Sequence, residues 1–223
     1  MTTYPQGSFR REDETDDRLF YAEPRLVVHI DDYALGAIAS YFEKVLPHDG
    51  VILDLMSSWR SHLPENLPVK KLIGLGMNDV EMAENPRLHQ AVVHDINAEP
   101  GLPFGDDSFD AVVVTVSIQY IVRPLEVFAE VNRTLKEGAS FHVVYSNRMF
   151  PTKAVAIWKD LDDARRADLI SSYFNDTGGW DSPRILNIGS RQKTNTDPVY
   201  VVTARKATGA DTPESNIRRS CAD

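Results

Sequence analysis

Apolar positions change their period along the chain in a regular way. Short apolar runs fall at 51–55, 71–75, 91–94, 109–116 and 141–145, each bounded by polar or turn residues. Runs of that length read as buried strands. Between them the spacing turns helical. The segment 31–45 places Ala34, Leu35, Ile38, Ala39, Phe42 and Val45 at helical intervals, with Asp31 or Asp32 as the cap, before Pro47 and Gly50 break the chain. The segment 124–135 puts Val127, Phe128, Val131 and Leu135 on one face, 78–85 predicts a short helix, and 152–174 predicts the longest one. Two last strands, 184–188 and 199–203, are joined by a polar loop that no helix fits, which predicts an antiparallel hairpin.

Alternating units of this kind build a mostly parallel sheet with helices on both faces. The expectation is one α/β domain over 19–206 with a seven-stranded mixed sheet that closes on the hairpin. An acidic, solvated arm (1–18) and a polar, mobile tail (207–223) flank it. Ligands of such sheets bind at the carboxyl ends of the strands, near the switch in strand order. Chemistry is therefore sought just after each strand.

Composition narrows the classes. Of 223 residues, 42% are hydrophobic and 26% charged, ordinary for a globular chain. The net charge of -9 disfavours nucleic acid as a partner. The lone cysteine, Cys221, allows neither an internal disulfide nor a thiolate metal cluster, and the histidines show no metal spacing. The first residues carry no apolar signal segment, and the longest apolar run, 111–116, is far short of a membrane span. A cytoplasmic protein with no membrane partner is expected. Its oligomeric state is not encoded in any pattern.

The most informative stretch is DINAEPGLPFGDDSFD (95–110), which runs on into AVVVTVSIQYIVRP and LEVFAEVNRTLKEGASFHVVYS. It resembles the second half of a class I S-adenosylmethionine-dependent methyltransferase domain, of the methyltransferase type 11-like kind. That pattern has an acid after the third strand, "LPF-x-(D/N)-x-SFD", a valine-rich fourth strand, and a helix ending "LK-x-G". The resemblance spans roughly 33–203 and includes the final hairpin. It is nearer to a glycine-poor branch with "LDLMSSW-x-SHLP" after the first strand and "SNRMFPTKA" after the fifth. The resemblance implies a Rossmann-like fold, S-adenosylmethionine as cofactor, S-adenosylhomocysteine as product, and a small-molecule acceptor.

It also implies a site. Asp54 would face the methionine moiety, Asp95 would accept from the adenine amino group, and Ile96 would pack on the ring. Thr115, Val116 and Ser117 end the fourth strand, where relatives line the transfer site. Tyr120 holds a place that often carries an aromatic or a histidine near the methyl group. His62 is read as a base or hydrogen-bond donor and Arg148 as an anion clamp, both orienting the acceptor. Phe20, Tyr21 and His29 either fold over the cleft or cover apolar surface.

Two departures stand out. The family's acid-x-Gly-x-Gly-x-Gly turn reads Asp54-Leu-Met56-Ser57-Ser58-Trp59-Arg60 here, keeping the acid and losing all three glycines. Serine does not accept the backbone angles glycine does, which predicts a turn of different shape. After the second strand the family's ribose-binding acid is replaced by Gly76, leaving Asn78 or Asp79 nearby as substitutes, with Met77 beside them among the residues that would hold the cofactor. The leading reading is in-line methyl transfer. The alternative is a non-catalytic module of the same fold that has lost tight cofactor binding. A nicotinamide-dependent oxidoreductase needs a glycine-rich turn and a ribose acid, and both are missing.

Overall fold

In the computed structural model, which describes residues 2–189 and 195–209, seven strands form one sheet. They are β1 (Val51–Leu55), β2 (Lys71–Gly76), β3 (Gln90–Val93), β4 (Phe109–Thr115), β5 (Leu135–Tyr145), β6 (Arg184–Asn187) and β7 (Tyr200–Arg205). Their order is β3-β2-β1-β4-β5-β7-β6. Strands β1 to β5 are parallel, β7 runs antiparallel to β5, and β6 pairs antiparallel with β7. The chain order reverses between β1 and β4, so the crevice above those two strands is the switch point.

Period-2 alternation divides the core into two layers. Ile52, Leu72, Ala111, Val113 and Val144 face helix α2 (Asp32–Val45), which answers with Ala34, Ile38 and Phe42. Asp31 caps that helix by accepting the Ala34 amide at 2.8 Å. On the opposite face Leu53, Leu75, Val112, Phe141 and Val143 meet α4 (Pro124–Thr134) and α6 (Asp163–Thr177) through Phe128, Val131, Ile170 and Phe174. Shorter helices are α1 (Asp17–Phe20), α3 (Asp79–Ala83) and α5 (Ala156–Lys159). Among the described residues no helix is long and apolar enough to cross a membrane.

Three local expectations change. The single helix over 152–174 is two, because Asp162 caps a fresh start at α6 by accepting the Arg165 amide. A side chain that offers the backbone a cap competes with helix continuation. Strand β5 starts at Leu135 rather than 141. Its pairing jumps from Phe109↔Leu135 to Ala111↔Ser140, so a bulge absorbs the polar stretch around Gly138.

The third change concerns the arm. Residues read as solvated are packed onto the domain. Tyr4 and Phe9 pack against Tyr173 with tilted rings. The carbonyls of Ser8 and Arg10 accept amides from Ile157 and Ala156. Asp17 is buried and binds Arg11 Nη1 at 2.7 Å and Lys153 Nζ at 3.0 Å. Burial alone would raise its pKa, but the hydrogen bonds from Arg11, Asn97 and Lys153 outweigh it and hold the carboxyl below its usual range. Lys153 is fully buried, so the acidic run of the arm supplies the charge that makes its burial tolerable. Residues 190–194 of the polar loop, and 210–223 of the expected tail with Cys221, lie outside the described residues.

Candidate cofactor cleft

The carboxyl ends of β1, β2, β3 and β4 open into one covered cleft with a volume of about 360 Å³. The turn after β1 contributes Asp54, Met56, Ser57 and His62. The end of β2 contributes Gly76, Met77 and Asn78, and the loop after β3 contributes Asp95 and Ile96. From the end of β4 come Thr115, Val116, Ser117 and Tyr120, and Arg148 stands on the segment after β5. Most positions singled out in the sequence therefore line the same cavity, while Phe20 and Asp79 do not. Tyr21, Arg25 and His29 line it too, so the segment ahead of α2 forms its roof.

The turn after β1 keeps a glycine-like shape without glycine. Met56, at the place of the first missing glycine, has φ of 58°, in the left-handed region. Methionine there carries strain that glycine would avoid. The Ser57 amide donates to the Leu75 carbonyl at 2.8 Å and ties the turn to β2. That tie explains the lost ribose acid. A Cβ at position 76 would sit 2.1 Å from the Ser57 carbonyl oxygen, so only glycine fits.

Asp54 is fully buried and accepts a hydrogen bond from Ser57 Oγ at 2.7 Å. Burial pushes its pKa up to about 7, against the opposing pull of the Ser57 and Ser61 hydroxyls. Such a carboxyl is poised to meet a cation, whose charge would restore the ionised form. Asp95 uses Oδ1 to accept the amides of Asn97 and Ala98, shaping its turn, and Ile96 beside it is buried. Thr115 Oγ1 and His62 Nδ1 are buried in the cleft without a protein partner. Buried polar atoms are rarely left so.

Other sequence-predicted residues have different occupations. Asn78 caps α3 by accepting the Glu81 amide, and its side-chain nitrogen donates to the carbonyls of Tyr21 and Ala22. It is committed to holding the roof, which leaves little for a ribose. Beside it Glu81 lines the cleft as a buried carboxylate, accepting from the Arg25 amide at 2.7 Å and from Ser58 Oγ at 2.5 Å. Glu81 was missed in the sequence. The signal was Asn78-x-x-Glu81, a capping-box spacing that fixes Glu81 in the first turn of α3.

His62 is pushed down to about 4 by burial and by Arg60, so it is neutral at pH 7 and a poor base. It remains a hydrogen-bonding group. Arg148 is more than half exposed and its Nε donates to Asp197 at 2.7 Å. Tyr120 is buried and its hydroxyl accepts the Phe150 amide at 2.8 Å, with the two rings stacked. Its ring thus anchors the segment that walls the cleft. Tyr120→Phe leaves that amide unpaired and should cost about 1–2 kcal/mol in urea unfolding. No change in the midpoint would show that the hydroxyl does not anchor the wall.

Known proteins resemble this arrangement. Residues 62–143 match the family model described as a methyltransferase domain. A solved S-adenosylmethionine-dependent methyltransferase from Thermotoga maritima superposes with a TM-score of 0.57 at 16% identity, covering 78% of this chain and 89% of that one. The YcgJ protein from Bacillus subtilis superposes with a TM-score of 0.55 at 13% identity, covering 80% and 100%. The [4+2]-cyclase SpnF shares the fold as well, with a TM-score of 0.56 at 14% identity, covering 78% and 81%. No curated protein matches the sequence.

Proposed function

We propose, for a chain whose fold and matched segment resemble those of the class I methyltransferases, that the cleft binds S-adenosylmethionine and passes its methyl group to a small-molecule acceptor. The observation that carries this reading is the convergence of Asp54, Glu81, Asp95 and Thr115 on one covered cleft at the switch point. The residues fit the cofactor's chemistry. Asp54 is a buried carboxyl that lacks a cation, and Ile96 offers an apolar wall for a base. Asp95 keeps Oδ2 free of hydrogen bonds from the described residues, and Glu81 stands in for the acid excluded at position 76.

When bound, the cofactor supplies an electrophilic methyl group on a sulfonium. The chain's own task is to orient and to exclude water. Asp54 and Ser57 hold the positive end of the methionine moiety. Asp95 and Ile96 hold the base. Thr115 and Ser117 wall the space where the acceptor approaches, and neutral His62 offers it a hydrogen bond without adding positive charge. The roof, pinned by Asn78, limits access to molecules of small size.

Incubation with methyl-labelled cofactor and a small-molecule extract tests the reading. Label is expected in the low-mass fraction. Label only in protein or nucleic acid would overturn the choice of acceptor, and no transfer from a cofactor that binds would favour the non-catalytic alternative.

A further inference from the structure

The roof of the cleft carries a cation that the fold leaves half used. Arg25 Nη2 donates to the Phe20 carbonyl at 2.8 Å, while Nη1 is buried with no protein partner. The guanidinium lies over Phe20 at 4.5 Å and against Phe150 at 5.6 Å, so two rings fix its plane. Phe150 stacks in turn on Tyr120, which follows the end of β4. That chain of contacts ties Arg25 to the segments that follow β4 and β5. No hydrogen bond joins its side chain to Asp54, Ser57 or Asp95.

The charges around it decide what Nη1 can take. Arg148 is paired with Asp197. His29 is lowered by burial and by Arg25 itself, so it is neutral at pH 7. His62 is neutral as well. Glu81 reaches the Arg25 backbone amide and Ser58, not the guanidinium. Lys153 shares the Phe20 ring but is paired with Asp13 and Asp17, and Arg60 lines the cleft over Trp59. A cation with one unpaired nitrogen suits a single negative charge, and the planar fork of arginine matches a carboxylate.

We propose that the acceptor is a small monocarboxylate whose anion is held by Arg25 Nη1 above Phe20 and Phe150. This rests on the methyl-transfer reading and specifies its substrate class.

The test is equilibrium binding, at saturating S-adenosylhomocysteine, of a panel of aromatic and aliphatic monocarboxylates, each beside its primary amide. At least one carboxylate should bind about tenfold or more tightly than its amide. Arg25→Gln should erase that preference, Arg25→Lys should keep part of it, and S-adenosylhomocysteine should bind both variants as it binds the parent. Equal binding of acids and amides, or no binding of either while S-adenosylhomocysteine binds, overturns the proposal and leaves methyl transfer standing. Loss of S-adenosylhomocysteine affinity in Arg25→Gln also overturns it, since the guanidinium would then serve the cofactor. If S-adenosylhomocysteine never binds but carboxylates keep an Arg25-dependent preference, the anion site stands and the methyl-transfer reading falls.

Discussion

Gly76→Asp, which writes the family's missing ribose acid back into the sequence, should wreck the cleft rather than repair it. The new Cβ would lie 2.1 Å from the Ser57 carbonyl oxygen, and 3.2 Å from Met82 Sδ. A flexible side chain can swing away from such an overlap, but Ser57 O belongs to a turn already bonded to β2. Overpacking usually costs about 1–3 kcal/mol, and a backbone obstacle should exceed it, at about 4 kcal/mol or more. Urea unfolding measures the loss. Gly76→Ala should fail in the same way, because the clash arises at Cβ. A Gly76→Asp protein as stable as the parent, with tighter cofactor binding, would refute the close approach of Ser57.

The second large effect belongs to Asp54, and it depends on pH. Its folded pKa is raised from 3.8 to about 7 by burial. A carboxyl raised in this way favours the fold while protonated, so its contribution is complete below the unfolded value and is lost as pH rises through about 7. Unliganded Asp54→Asn should therefore gain stability over the parent at pH 8, on the order of 2–4 kcal/mol, with the gain shrinking toward pH 4. Binding should move the opposite way. A cationic ligand selects the ionised carboxylate, so cofactor affinity of the parent should fall as pH drops below about 7. Asp54→Asn should lose about ten- to a hundredfold in affinity at pH 8 and most of that pH dependence. Chemical denaturation and titration across this range read both signs. Parallel pH profiles for the two proteins would show that Asp54 does not face the cation.

Much of this architecture is legible in the sequence because burial writes period into it. Unbroken apolar runs mark β1, β2 and β4, strands covered on both faces, and 3.6-residue spacing marks α2 and α4. Features carried by contacts between distant residues leave no such trace. The acidic arm reads as solvated because its partner Lys153 lies far along the chain. The bulge in β5 hides among polar residues, and the break before α6 turns on a single capping aspartate.

The site divides in the same way. Positions tied to strand ends, such as Asp54, Asp95 and Thr115, lie where the topology rule directs attention, and the family resemblance singled them out. Gly76 looked like a lost acid, and only the approach of Ser57 shows that the glycine is demanded. Glu81 had a capping-box signal, whereas Arg25 had none, since its place depends on how the roof folds over Phe150.

The most direct test of the whole account is calorimetric titration of the full chain with S-adenosylhomocysteine at pH 8. Saturable one-to-one binding in the micromolar range, weakened about ten- to a hundredfold in Asp54→Asn, is the predicted result. No heat and no thermal shift at millimolar ligand would contradict it, and would mean that a cleft built from Asp54, Glu81 and Asp95 serves a different guest.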